Sequence, residues 1–494
     1  MITNDSRFNL RHEVLKTVAE HEMNGTLTPE TIDSIPFNII PGVSAKFRCC
    51  VYKEREIIRQ RVRLAMGHLP IPKKNVENIE MKKHTIQVIP AACEGCPINR
   101  FQVTENCQNC MQQACKKACA FDAITITPRG AYIDQTKCRE CGKCSESCPY
   151  HAIADLMRPC RRSCDVNAII IGDDRIAKID TDTCISCGHC VTGCPFGAIS
   201  DVSQIRDVVK AIKDPSREVI AIPAPAAEGQ FGTNVTIGRL KTALIKAGFS
   251  RVYETALGGD LVSMHEAKEL IENKEAGKKM TTSCCPAFVN LIKKHYPELM
   301  EHVSTTISPM QANARYIYDK HPGAYVVFIG PCIAKKHEAE VMGAPDAVMT
   351  FEELNALFDA VGVDPEVCDE DTTPDATSYG RRFSQTGGVS ASVVKAAKEL
   401  GVTDVKAKVA SGVKECKIAL AMLKVGKLPE DIIEGMACEN GCIAGPGSIA
   451  LLAQLKAARL RKIKDKDDDN IGDMIAHMKA TEVDMHRDYS IETK

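Results

Sequence analysis

The stretch CRECGKCSESCP at residues 138–149 decides the fold of the first half of the chain, and CISCGHCVTGCP at residues 184–195 repeats it. Both have the spacing C-x2-C-x2-C-x3-C-P. With this spacing, three close thiolates bind one 4Fe-4S cube and the fourth reaches a neighbouring cube. Zinc sites use two separated cysteine pairs, so three thiols this close together favour iron-sulfur chemistry over zinc.

The two stretches belong to a longer internal repeat. CKKACAFDAITITPRGAYID, from Cys115, recurs as CRRSCDVNAIIIGDDRIAKID, from Cys160. In both copies, short apolar runs of β type alternate with the cysteine clusters. A duplicated unit with the same ligand types predicts a duplicated metal-binding fold.

The cysteines from Cys93 to Cys194 divide into four sets of four, with Cys93 and Cys96 filling a pair that the second repeat lacks. The predicted sets are Cys107, Cys110, Cys115 and Cys148; Cys138, Cys141, Cys144 and Cys119; Cys93, Cys96, Cys160 and Cys194; and Cys184, Cys187, Cys190 and Cys164. This layout resembles the four-cluster ferredoxin-type subunits of molybdenum oxidoreductases, with the segment order changed. The alternative is two cubes, with the other eight cysteines partly structural.

The composition restricts the class of protein. The chain has 494 residues, 25 of them Cys and none Trp, and its net charge is −1. Such a balance offers no general attraction for nucleic acid or anionic membrane. The first residues do not read as a signal peptide, and no apolar run approaches the ~18 residues that span a bilayer. We therefore expect a soluble cytoplasmic protein without nucleic-acid or membrane partners, in which cysteines bind metal rather than form disulfides.

The pattern along the chain predicts a multidomain protein of the α+β or α/β class. Residues 1–90 are expected to form a helical N-terminal region, and residues 91–200 a duplicated, ferredoxin-like 4Fe-4S module. Strand-like and helical segments alternate over residues 201–457, which predicts a mixed α/β domain. Residues 458–494 are expected to be a charged helix or tail, solvated or frayed.

Three further cysteine segments lie in the mixed α/β region: TTSCCPAF at 281–288, GPCIAKKHE at 330–338 and EGMACENGCIAG at 434–445. They resemble the signature segments of the iron-only (FeFe) hydrogenases, which read approximately TSCCPxW, MPCxxKxxE and ExMACxxGCxxGG. The resemblance covers residues 218–455 and implies a hydrogenase catalytic domain. The TSCCPAF form is similar to a divergent monomeric branch of that family.

The resemblance implies an H-cluster, a 4Fe-4S cube bridged to a two-iron subcluster with carbonyl, cyanide and azadithiolate ligands. The implied cube ligands are Cys285, Cys332, Cys438 and Cys442, and Cys442 also bridges to the subcluster. Lys335 matches the lysine that donates to a cyanide. Other positions that match the pocket lining are Pro225, Ala226, Gln385 and Met436, for which turns and core packing are nearly as good an interpretation.

The same resemblance implies a proton relay. Cys284 matches the proton-donating thiol, and Glu266 and Glu269 in SMHEAKEL match two relay carboxylates on one helix face. The relay hydroxyl falls at Thr305. Phe288, Gly330 and the run Gly445–Ser448 depart from the family pattern beside the predicted cofactor, which implies a working but differently tuned site.

The resulting hypothesis is reversible H2 oxidation and proton reduction, with electrons relayed through 4Fe-4S clusters to or from a soluble, ferredoxin-like carrier. Maturation enzymes are expected to insert the cofactor. The alternatives are a hydrogenase-like iron-sulfur assembly or scaffold protein, and a hydrogen-sensing or pure electron-transfer protein. The sequence predicts no role for Cys49, Cys50, Cys368 and Cys416.

Overall fold

The computed structural model describes residues 5–71, 84–93, 95–373, 375–463 and 469–489. Along the chain, helices are followed by a cysteine-rich module of short antiparallel strands and then by an α/β region with two parallel sheets. The predicted mixed α/β, multidomain fold class is confirmed. None of the described helices is both long and apolar enough to cross a membrane.

Three helices open the chain: α1 (Ser6–Met23), α2 (Pro29–Ile39) and α3 (Val51–Ala65). The Asp5 side chain accepts the N–H of Arg7 at the start of α1, and Thr28 and Thr31 form a reciprocal capping box at the start of α2. The buried side chains of α1 share one hydrophobic core with the α/β region. These helices therefore pack on the α/β region instead of building a core of their own.

The cysteine-rich module consists of strands and helices of three to five residues: β1 (Ile86–Val88), β2 (Phe101–Val103), α4 (Ala114–Lys117), β3 (Ile124–Thr127), β4 (Gly130–Ile133), α5 (Lys143–Glu146), β5 (Ile153–Asp155), α6 (Pro159–Arg162), β6 (Ile169–Ile171), β7 (Ala177–Ile179), α7 (His189–Gly193) and β8 (Ile199–Asp201). The antiparallel pairs are β1 with β8, β2 with β5, β3 with β4 and β6 with β7. Because β1 pairs with β8, the module extends upstream of residue 91, the boundary expected from the sequence.

The backbone repeats along with the sequence. Left-handed φ values recur at equivalent positions of the two copies: Asp122 and Asn167 at 46° and 57°, Glu140 and Ser186 at 52° and 59°, Gly142 and Gly188 at 83° and 84°. The last cysteine of each C-x3-C pair accepts the N–H of the alanine four residues later, at 3.2 to 3.4 Å; these thiols are Cys119, Cys148, Cys164 and Cys194. Hydrogen bonds to cluster sulfurs help to set reduction potentials, so the duplication extends to the predicted ligand environment.

The α/β region contains two all-parallel sheets with strand orders β10-β9-β12-β13 and β11-β15-β14. Its elements are α8 (Ile205–Lys213), β9 (Val219–Pro223), α9 (Ile237–Lys246), β10 (Arg251–Val252), α10 (Ala256–Glu275), β11 (Met280–Thr281), α11 (Pro286–His295), α12 (Pro309–Lys320), β12 (Tyr325–Ile329), α13 (Ala334–Met342), β13 (Ala347–Met349), α14 (Phe351–Val361), α15 (Ser378–Arg382), α16 (Gly388–Glu399), β14 (Ala407–Ser411), α17 (Val413–Lys424) and β15 (Ile432–Met436). The central strands β9 and β15 are buried along their whole length, as expected for strands covered by helices on both faces.

All three cysteine segments of this region follow the carboxyl ends of parallel strands. Cys285 comes soon after β11, Cys332 after β12 and Cys438 after β15. Ligand sites in parallel α/β sheets form where these ends meet. The topology therefore brings together segments that lie far apart in the sequence.

The C-terminal part differs from the solvated or frayed tail expected from the sequence. Two helices, α18 (Leu452–Ile463) and α19 (Ile471–His477), are followed by an extended segment, residues 483–489. Ile471, Ile475, Val483 and Met485 are buried in the core of the α/β region. Apolar side chains placed at intervals along a charged sequence thus anchor this segment to the protein.

Candidate active site

Four thiols, those of Cys285, Cys332, Cys438 and Cys442, lie together. Burial, followed by the negative charges of Cys332, Cys285 and Cys442, raises the pKa of the Cys438 thiol well above its usual range. Burial and the charge of Cys285 likewise raise the pKa of Cys332 to about 11, although Lys335 opposes the shift. Four thiolates this close together, each only partly exposed, repel one another unless a cation lies among them, so this donor set fits a metal cluster. The four sequence-predicted cube ligands are therefore neighbours.

The residues around these thiols explain two departures from the family pattern. Phe288 is fully buried, and its ring packs against Gly435. A Cβ on Gly435 would come within 2.3 Å of that ring, so only glycine leaves room for it. A Cβ on Gly330 would come within 2.7 Å of the Phe328 ring. The aromatic ring at 288 and the glycine at 330 are thus accommodated by local packing.

The other predicted lining residues lie in segments next to the cysteine loop. The turn containing Pro225 and the buried Ala226 contacts the turn that begins at Cys442. A Cβ on Gly441, the residue before Cys442, would come within 2.9 Å of the Gln385 carbonyl carbon. Met436 is buried at the end of β15.

Lys335 is buried beside these thiols. Its ammonium donates to Glu338 Oε2 at 2.7 Å and to the Cys284 carbonyl at 3.2 Å. Glu338 also accepts the hydroxyl of the buried Ser308 at 3.0 Å. Glu338 is the last residue of the segment GPCIAKKHE, and the sequence predicts no role for it.

Cys284 and Glu266 are both buried and electrostatically coupled. Burial, and then the charge of Glu266, raises the pKa of the Cys284 thiol well above its usual range. Burial also raises the pKa of Glu266 to about 8, against hydrogen bonds from the Ser283 N–H at 3.0 Å and the Ser283 hydroxyl at 3.3 Å. Glu266 Oε2 has no hydrogen-bond partner among the described residues. A carboxyl with this pKa and a free oxygen can hold or release a proton near neutral pH.

Hydroxyls surround Glu269, one helical turn further along α10. The buried Ser304 donates to Glu269 Oε2 at 2.6 Å and is close enough to Glu266 to oppose the rise in its pKa. Thr305, the predicted relay hydroxyl, is exposed and donates to Glu269 Oε1 at 3.3 Å. Ser304 is therefore the hydroxyl between the two carboxylates. Ser304 could have been considered from the sequence, because it directly precedes Thr305 in the run STTISP.

In the cysteine-rich module, most thiols lie near other members of their predicted sets. Burial and the charges of Cys194, Cys93 and Cys96 raise the pKa of Cys160 to about 11. The neighbouring thiols in the other sets are Cys187, Cys184 and Cys164 around Cys190; Cys148 and Cys107 around Cys115; and Cys119, Cys138, Cys141 and Cys144 around one small cavity. Among the described residues, no three Cys, His, Asp or Glu side chains converge closely enough to hold a single ion.

The module and the α/β region meet at Cys187 and Gly188. Cys187 interacts electrostatically with both Cys332 and Cys438. Gly188 has φ +84°, and a Cβ there would come within 2.8 Å of Ile333 and of Pro446. Gly188 therefore permits Cys187 to come close to the cysteines of the candidate active site.

The catalytic region matches the family model of the iron-only hydrogenase large subunit, C-terminal domain, over residues 217–446. Models of 4Fe-4S binding domains match residues 131–154 and 176–199. The chain is 32% identical to the periplasmic [Fe] hydrogenase large subunit of Nitratidesulfovibrio vulgaris, covering 66% of this chain and 87% of that protein. Iron hydrogenase 1 of Clostridium pasteurianum is 28% identical to this chain, and the similarity covers 72% of each of the two proteins.

Two further similarities are weaker. The structure of a variant of apo [FeFe]-hydrogenase HydA1 from Chlamydomonas reinhardtii aligns with a TM-score of 0.48 and 22% identity, covering 58% of this chain and 97% of that one. The cytosolic Fe-S cluster assembly factor NAR1 of Candida dubliniensis is 26% identical over 27% of this chain and 26% of its own length.

Proposed function

Because the chain belongs to the iron-only hydrogenase family, we propose that it catalyses the reversible reaction H2 ⇌ 2 H+ + 2 e−. One observation carries the proposal: the four grouped thiols lie beside a fifth thiol, that of the buried Cys284, which interacts electrostatically with Glu266. A site that splits or forms H2 needs a path for protons as well as for electrons, and this arrangement supplies both.

The four thiols Cys285, Cys332, Cys438 and Cys442 would hold the cube of the H-cluster, and Cys442 would also bind its two-iron subcluster. When bound, this group supplies a Lewis-acidic iron that makes H2 acidic, and it accepts the electrons. Lys335 presents a buried ammonium towards this pocket. It has three hydrogens, and its two described contacts leave one for a bound anionic ligand.

Protons would move between Cys284 and the surface through α10 and the segment that follows Val303. Glu266 would take a proton from Cys284 as the thiol regains one that H2 releases, and burial lets Glu266 hold that proton in its neutral form. The hydroxyl of Ser304 connects Glu266 to Glu269, which is only half-buried and lies beside the exposed Thr305. Each H2 oxidised sends two protons along this route, and proton reduction brings two back.

Electrons would leave through Cys187 and the cubes of the cysteine-rich module to a soluble carrier of the ferredoxin type. We propose four such cubes, since the grouping of thiols supports the four predicted sets. Loading by maturation enzymes, a cytoplasmic location and membership in the divergent branch stay predictions.

A second candidate is an iron-sulfur assembly role, which the similarity to the NAR1 factor favours. That similarity covers about a quarter of the chain, whereas similarity to the Nitratidesulfovibrio vulgaris hydrogenase subunit covers 66%. A scaffold would have no use for a buried thiol and a carboxyl of raised pKa in contact with a row of hydroxyls. The hydrogenase function therefore accounts for more of the described residues.

Infrared spectroscopy of the anaerobically matured protein tests the proposal. We expect carbonyl and cyanide bands, together with H2-dependent reduction of a dye. If all cubes are loaded but the carbonyl and cyanide bands are absent, the hydrogenase function is rejected and the assembly role is favoured.

Cys284→Ala and Glu266→Gln test the proton route. Each should keep the infrared bands and lower turnover about a hundredfold or more. Cys416→Ala is a matched control, because its thiol is also buried and electrostatically close to Cys285 but donates to backbone carbonyls instead. Glu272→Gln removes an exposed carboxylate from the same helix. Normal turnover in either relay variant would contradict the route.

A further inference from the structure

The extended segment at residues 483–489 lies against residues 304–307, which carry the relay hydroxyls. Ile307 donates its N–H to the Met485 carbonyl at 2.9 Å, and Arg487 donates its N–H to the Thr305 carbonyl at 2.7 Å. Tyr489 adds a hydrogen bond from its hydroxyl to the Ser304 carbonyl at 2.8 Å. The C-terminal segment is thus joined to residues 304–307 by one antiparallel bridge, between Thr306 and His486, and by the Tyr489 hydroxyl.

Side chains alternate along this segment as in a β-strand. Val483, Met485 and Arg487 are buried, whereas Asp484, His486 and Asp488 are exposed. Arg487 therefore faces the protein interior, as the apolar Val483 and Met485 do. A guanidinium is costly to bury unless a carboxylate receives it, so this position requires an anionic partner inside the protein.

That partner is Glu338, the carboxylate that holds Lys335. Arg487 Nη1 lies 3.4 Å from Glu338 Oε1, with the side chains 5% and 1% exposed. The other oxygen, Oε2, accepts Lys335 at 2.7 Å and Ser308 at 3.0 Å. Both oxygens of Glu338 are therefore occupied, which fixes the rotation of the carboxylate.

We propose that Arg487 is a positioning residue for the active site: by holding Glu338, it orients the Lys335 ammonium towards the cofactor pocket. This inference rests on the proposed function and extends it to a residue outside the three signature segments. Two buried cations, Lys335 and Arg487, share the Glu338 carboxylate beside the thiols expected to hold the H-cluster. Without Arg487, Oε1 loses its donor, the carboxylate can turn, and Lys335 turns with it.

The test compares Arg487→Gln and Arg487→Lys with Arg315→Gln. Arg315, on α12, holds the same segment from its solvent side through the Asp484 carbonyl at 2.7 Å and the Asp484 carboxylate at 2.8 Å. Its described contacts do not include Glu338. A variant at 315 therefore loosens the segment without touching the carboxylate.

We expect Arg487→Gln to shift the infrared cyanide bands of the matured protein and to lower turnover about 10- to 100-fold, as the loss of an outer ligand partner does elsewhere. Arg487→Lys should restore part of both, because it keeps the charge but not the planar fork. Arg315→Gln should leave the bands at the parent positions. Should Arg487→Gln fail to fold, a band shift in Arg487→Lys that is absent from Arg315→Gln carries the test.

Bands unchanged in both Arg487 variants would overturn the inference, as would an equal shift in Arg315→Gln, which would assign the effect to the segment as a whole. Parent protein without carbonyl and cyanide bands would instead reject the proposed function, so the two failures are distinguishable.

Discussion

Glu266 shows how burial creates a proton carrier from an ordinary residue. In a solvated helix a glutamate is ionised at neutral pH. Here the side chain has no exposed surface, and Glu269 places further negative charge nearby. The neutral carboxyl is therefore favoured, and its pKa rises to about 8.

This shift predicts a pH dependence of stability. The folded state holds a proton on Glu266 that the unfolded chain releases above its ordinary pKa of 4.5. The contribution of this group is therefore fully present below pH 4.5 and is lost as the pH rises towards about 8, by roughly 1.4 kcal/mol per pH unit.

Glu266→Gln, which cannot ionise, removes this dependence. We expect the difference in thermal midpoint, variant minus parent, to be larger at pH 8 than at pH 5. Both proteins are measured anaerobically. A constant difference across that range would mean that Glu266 is ionised in the folded protein.

At the scale of elements, α1 is joined to the rest of the protein by buried charges. Arg11 on α1 lies 2.5 Å from Asp201, at the end of β8, and 3.2 Å from Glu352 on α14. Lys336 on α13 binds Asp201 at 2.6 Å. These two cations hold the pKa of Asp201 at about 2 despite its burial. One cluster thus connects the N-terminal helices, the cysteine-rich module and the α/β region.

Arg11→Gln should lower the free energy of unfolding by about 3 kcal/mol, because it removes the ion-pair partner of the buried Glu352 and leaves Asp201 with Lys336 alone. Lys16→Gln, on the same helix, breaks a half-exposed pair with Glu20 and should cost about 0.5 kcal/mol or less. Anaerobic denaturant unfolding measures both. Equal effects would show that the buried cluster contributes no more than a surface pair.

At the scale of the whole molecule, two of the predicted thiol sets form a series that ends at the four cysteines of the candidate active site. Cys190 interacts with Cys160, which belongs to the next set outward, and Cys187 interacts with Cys438. Neighbouring sets are therefore close enough to influence each other electrostatically. This is the arrangement expected of a path for electrons.

Iron quantification tests the number of cubes. The full chain reconstituted without the two-iron subcluster should bind about 20 irons, four in each of five cubes. Two accessory cubes with the catalytic one would give about 12 instead. Cys160→Ser should remove about four irons if its set is a cube, whereas Cys368→Ser, which changes a buried thiol outside every set, should remove none.

The sequence by itself predicted the cluster ligands and their grouping, because cluster chemistry requires cysteines at set spacings and the repeat made those spacings visible. The mixed α/β fold was also predictable from alternating strands and helices. What only the tertiary structure decided are contacts between distant segments. Ser304 rather than Thr305 lies between the carboxylates, and Arg487 reaches Glu338 from a segment that its charges suggested was solvated. Burial and pairing depend on which surfaces meet, and local sequence does not encode that.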